Sequence, residues 1–209
     1  MSVLQRLASA LARRDEAPNI ALARSLAATG NAGDVAALAD TLSSAPRPVR
    51  HDAIKALYEL GALRPEQIRP HADSFLAALE GSDNRLVWGA MAALDTLAAA
   101  DPGLIAAHLP EILAAAERGS VIAKDKAVSM LATLASLPKP VPGAWNALLA
   151  ILRDAPVNQT AMYAEAALRA APMNEPTALA AMVRTRRDDI AHPAKRARLD
   201  KVLRRLASL

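Results

Sequence analysis

Small and apolar residues recur along this chain at helical spacing, and the helical segments themselves recur every 37 residues. Ala53-Leu57-Leu60, Ala90-Leu94-Leu97, Ala127-Leu131-Leu134 and Ala164-Leu168-Ala171 align without a gap. A second column upstream, Leu38, Phe75, Ile112 and Leu149, keeps the same step. Within each segment, spacings of four and three put the residues on one face of a helix. Two columns in register make each repeat a pair of helices, and a fixed period of this size is the signature of a stacked helical solenoid. The pattern predicts an all-α, right-handed α-α superhelix of about six antiparallel helix pairs. Leu57, Leu94, Leu131 and Leu168 should then occupy equivalent buried positions.

Breakers divide the chain into helices over 2–14, 18–29, 34–43, 47–60, 66–80, 84–99, 103–118, 121–136, 142–153, 158–170, 175–187 and 193–207. Gly30, Gly61, Gly81 and Gly119 sit where a left-handed residue would close a last turn. Asp34, Asp101, Ser120 and Asn158 are placed as N-caps, with Pro102 in a first turn. Pro138-Lys139-Pro140-Val141-Pro142 reads as a rigid extended connector. The repeat step runs through it from Leu131 to Leu168, so residues 1–209 are expected to form one domain. The terminal pairs, 1–33 and 172–209, lose the period, as capping repeats do.

Composition sharpens this picture. Hydrophobic residues make up 53% of the chain and aromatics only 2%, so the core is expected to be thin and Ala/Leu-based. No alternating β-branched run predicts a sheet. The absence of cysteine removes disulfides and thiolate chemistry and suits a reducing compartment, so a cytoplasmic protein is expected. His51, His71, His108 and His192 are too scattered for a metal cluster. No apolar run approaches the roughly 18 residues of a membrane span. Met1 to Arg14 reads as a first structural helix rather than a targeting peptide. No phosphate loop or nucleophile elbow is present, so no cofactor is expected and the chain leans away from enzymes.

Pro48-Val49-Arg50-His51-Asp52-Ala53-Ile54-Lys55-Ala56-Leu57-Tyr58-Glu59-Leu60 resembles the second helix of the HEAT-repeat family: Val-Arg, then Ala three residues on, then Leu-x-x-Leu. His108-Leu109-Pro110-Glu111-Ile112-Leu113 resembles its first helix with an internal proline. The Val-Arg pair is not repeated; Leu86-Val87, Ala123-Lys124 and Thr160-Ala161 stand in its place. The resemblance implies a scaffold whose second helices line a concave surface.

The side of those helices opposite the apolar stripe carries His51, Lys55, Tyr58, Trp88, Asp95, Asp125 and Arg169, with Arg85 at its edge. These are the candidate binding residues. Tyr58 and Trp88 could anchor a peptide or stack a base, and equally could fill gaps between repeats; Phe75 and Trp145 read as packing residues. Between Arg184 and Arg205, nine bases face three acids, giving a basic patch that includes Arg196, Lys201, Arg204 and Arg205. Such a patch can meet phosphate or an acidic partner, or can be a solvated end cap. The expected function is a soluble, non-catalytic adaptor that binds another protein on its concave face. The alternative is a nucleic-acid binder resembling the HEAT-like alkylpurine DNA glycosylases, using Asp95 or Asp125 against charge developing on a sugar.

Overall fold

The computed structural model describes residues 2–209, and among them all regular structure is helical. The all-α class of stacked helix pairs is the one expected. The chain divides into two compact units, residues 1–127 and 128–209, with the boundary inside one helix.

The first unit opens with a 3-10 turn, Val3–Arg6, followed by α1 (Ala17–Thr29), α2 (Ala32–Ser44) and α3 (Arg47–Leu63). Then come α4 (Pro65–Ile68), a 3-10 turn at Arg69–His71, α5 (Ala72–Leu79), α6 (Asn84–Leu97), α7 (Pro102–Ala107), α8 (Leu109–Arg118) and the start of α9 (Val121–Ala135). First helices pack on first helices (α2 on α5, α5 on α8), and α3 packs on α1 and α6 in a second layer. Between the layers, Leu38, Phe75 and Ile112 are fully buried, as are Leu57 and Leu94. Both apolar columns therefore face one core.

The second unit contains the rest of α9, then α10 (Ala144–Arg153), α11 (Val157–Ala170), α12 (Pro176–Asp188) and α13 (Pro193–Leu206). Here α10 packs on α11 and α12, and α11 packs on α13. Leu131 is fully buried, but Leu168 and Leu149 are only half-buried, and Leu148 is buried beside the expected position. On α11 Tyr163 is 1% exposed where earlier repeats carry Lys126 and Gly89, while Ala164, Ala167 and Ala171 keep their buried repeat positions. Leu168 itself is half-buried, next to Glu165 and Arg169 on the helix surface.

Several local expectations are corrected. The helix expected over 2–14 is replaced by turns, because side chains claim its backbone donors. Asn19 Oδ1 accepts from the Ala8 amide at 3.0 Å, and Asp52 Oδ2 accepts from the Ser9 amide at 2.6 Å. Pro70 and Pro110 break the first helices expected to be continuous. Each removes an amide donor and crowds the carbonyl four residues back. Gly61 does not end a helix but lies buried within α3, where a Cβ would come 2.4 Å from Thr96 Oγ1 and 2.5 Å from Ile68 Cδ1. Only Gly30 among the four expected glycines takes the left-handed conformation, at φ +65°. Asn31, not Asp34, caps α2, and Pro156, not Asn158, precedes α11. Asp101 and Ser120 accept from the Leu104 and Ala123 amides as expected. Phe75 and Trp145 are buried packing residues.

Candidate functional site

In the first unit the candidate residues are drawn into charge pairs. Lys55 is 8% exposed on α3, with its ammonium 3.0 Å from Glu16 Oε2, 2.7 Å from Glu59 Oε1 and 4.7 Å from the centre of the Tyr58 ring. Burial alone would lower the Lys55 ammonium, but its contacts with Glu59, Tyr58 and Glu16 outweigh burial and hold it above the lysine range. Glu16 also accepts from Arg85 at 2.6 Å. One carboxylate at the entrance to α1 thus bridges bases on α3 and α6. The Tyr58 and Trp88 rings are 5.9 Å apart and tilted by 50°, so the two aromatics pack on each other. Burial is the leading cause of a raised Tyr58 phenol.

Asp83 is a second hub. Its carboxylate caps α6 through the Arg85 and Leu86 amides, lies 2.8 Å from His51 Nε2, and pairs with Arg47 at 3.2 Å. Burial pushes this carboxyl up, yet the His51 bond and neighbouring donors together hold it below the usual carboxylate range. Asp101 repeats the device one pair on, capping α7 and accepting from Arg69 at 2.7 Å. Asp95 accepts from Lys126 at 3.0 Å. Asp125 is half-buried at the start of α9. Sequence reasoning missed Glu16, Asp83 and Asp52 as organisers of this region. Position 83 lies 37 residues from Ser120 and follows the Gly81 breaker, so its capping role could have been read from the repeat.

In the second unit, candidates from two separate groups meet. Residues 165, 168, 169 and 172 form one face of α11 and the turn that follows it. Residues 198, 201, 202 and 205 form one face of α13. These faces line an open cleft of about 720 Å³. Arg169 belongs to the groove set of the sequence pattern, and Lys201 and Arg205 to its basic patch. The cleft also holds Arg198, whose guanidinium donates to both oxygens of Glu165 at 2.9 and 2.7 Å. The Arg198 bond is the leading cause holding the Glu165 carboxyl down, with Lys201 adding to it. Among the described residues, Arg169, Lys201 and Arg205 have no carboxylate within ion-pair distance. Leu168, Pro172 and Val202 supply apolar surface between these bases. Arg196 is not part of this surface, because its Nε donates to the Ile190 carbonyl and ties down the α12–α13 loop. Arg204 is exposed and does not line the cleft. Glu165 and Arg198 were also missed, though their spacing of four from Arg169 and three from Lys201 placed them on the same faces.

Among the described residues no cluster of His, Asp or Glu could hold a metal, and no helix is long and apolar enough to cross a membrane.

These features define a helical-repeat protein with charge-paired repeats and one open basic cleft. No protein-family model matches the chain, and no curated protein matches it either. Solved structures do match. An engineered protein aligns over 100% of this chain and 98% of its own, with TM-score 0.58 and 17% identity. A second engineered protein aligns over 100% of both chains, with TM-score 0.58 and 19% identity. A designed armadillo repeat protein, solved in complex with a (KR)4 peptide, covers 98% of both chains with TM-score 0.58 and 16% identity. At such identities the likeness concerns the fold, an armadillo-like helical repeat.

Proposed function

We propose that this chain is a non-catalytic scaffold of HEAT type that presents its helical repeats to a protein partner. The observation that carries this reading is the cleft between α11 and α13, where three bases without an ion-pair partner among the described residues border the half-buried Leu168. A preformed groove on rigid helices loses little conformational freedom on binding, which suits a recognition surface. The designed armadillo protein solved with a (KR)4 peptide supports peptide binding as a use of this fold. Of the residues that a glycosylase-like reaction would use, Asp95 is engaged by Lys126 and Arg85 by Glu16.

The test is affinity capture from nuclease-treated lysate with the wild-type chain and with the double variant Arg169→Glu/Arg205→Glu. A protein held by the wild type and released by the double variant supports the scaffold. Capture that vanishes on nuclease treatment, or release of free base from alkylated DNA, overturns it.

A further inference from the structure

Resting on that reading, we propose that the α11–α13 cleft binds an extended acidic segment, one large aliphatic side chain flanked by Asp or Glu residues. The argument is charge and shape complementarity. Arg169 stands on α11, and Lys201 and Arg205 stand on α13. Bases therefore border the cleft from two helices, while Leu168 and Val202 lie between them. Val202 is nearly fully buried, but Leu168 remains half open to the cleft. An aliphatic side chain can bury against Leu168 while flanking carboxylates meet bases on either side. Along an extended peptide residues two apart share a face, so acids at those positions lie on the same side as the anchor.

The Glu165–Arg198 pair fixes the polarity of the site. Glu165 already forms a two-pronged pair with Arg198, so its negative charge is matched within the cleft. Among the described residues Arg169, Lys201 and Arg205 have no carboxylate within ion-pair distance. A basic peptide of the (KR)4 kind would meet three like charges there. Nucleic acid would satisfy the bases but not the aliphatic surface, and no aromatic ring lines the cleft to stack a base. The occupant that uses both the charge and the apolar surface is an acidic peptide with an aliphatic anchor.

Fluorescence anisotropy of the full chain tests this, with a labelled ten-residue probe of alternating Asp and Glu around a central Leu. Matched probes carry Ser for Leu, or Lys for the acids, and a fourth is a labelled single-stranded oligonucleotide. Arg169→Glu and Arg205→Glu, tested separately, are each expected to weaken the acidic probe by about tenfold or more, as for charges in a binding-site centre. Arg204→Glu makes the same charge change outside the cleft and is expected to shift affinity by no more than about twofold, as for a rim charge. Circular dichroism melts confirm that each variant stays folded.

Equal affinity for the Leu and Ser probes overturns the anchor. Equal loss in Arg204→Glu and Arg169→Glu overturns the cleft as the site, and tighter binding of the oligonucleotide overturns the ligand class. Nuclease-resistant protein capture combined with no binding of the acidic probe overturns this inference while leaving the scaffold standing.

Discussion

The candidate bases of the first unit and the cleft bases of the second use charge in opposite ways. In the first, bases on the working side of α3 and α6 are matched by acids of the same unit: Lys55 and Arg85 by Glu16, His51 and Arg47 by Asp83. In the second, Arg169, Lys201 and Arg205 border a cleft without such partners among the described residues, and Glu165 there is held by Arg198. The first arrangement locks neighbouring repeats together, and the second leaves attraction available for something else. Residue type alone does not separate a binding base from a structural one; its pairing does.

The largest effects should come from the core columns that the units treat differently. Leu94→Ala removes a fully buried side chain and is expected to cost about 2–5 kcal/mol in chemical denaturation. Leu168→Ala, at the equivalent repeat position but half open to the cleft, should cost about 1 kcal/mol, because water already reaches part of it. Equal losses would erase the distinction between a structural leucine and a cleft leucine.

Asn19→Ala comes next. Asn19 is fully buried, accepts from the Ala8 amide and donates to Asp52 at 2.7 Å. Its removal orphans a buried donor and should cost about 2–3 kcal/mol. Amide exchange at Ala8 and Ser9 should accelerate more than at Leu94. Uniform acceleration would mean that the N-terminal turns are held by something other than these side chains.

Asp83 supplies a pH-dependent test of the paired unit. Its folded carboxyl lies below its ordinary value, so the stability it contributes is fully present above the ordinary carboxylate range. That contribution is lost as pH falls through the lowered folded value. Asp83→Asn should therefore flatten the fall of Tm below about pH 4, and should lower Tm at neutral pH. Asp83→Ala, which also loses the cap, should cost about 1–2 kcal/mol. An unchanged acid limb in Asp83→Asn would sink the assignment of this carboxylate as a charged clasp.

The smallest effect expected is that of Glu16→Ala. Glu16 is part-exposed, and each of its two pairs contributes about 1 kcal/mol or less. Its loss should be weakened further by salt, and it should expose Lys55 and Arg85 to new ligands. If the variant gains affinity for the acidic probe that survives Arg169→Glu, the first unit becomes a second site uncovered by removing its own acid.

Hydrophobic periodicity made most of the architecture legible. Apolar stripes at helical spacing must bury, and two stripes repeating in register can do so only by stacking pairs. The helix boundaries followed from Asp101, Ser120 and Gly30, where capping chemistry is local. Some failures were local, at Pro70, Pro110 and Asn31, and the others were tertiary. The N-terminal helix lost its amides to Asn19 and Asp52, which are distant in sequence. Gly61 went into a helix contact because Thr96 and Ile68 approach where no Cβ fits. Leu168 kept the repeat phase yet stayed half open, because burial at that position depends on which helix packs over it. The candidate site was half legible. The helical phase found His51, Lys55, Arg85 and Arg169, and the charge count found Lys201 and Arg205. Which of these bases meet an internal acid was decided only when the helices packed, because ion pairing depends on distances between segments roughly one or more repeats apart. Sequence set the faces; packing decided which charges were left unpaired.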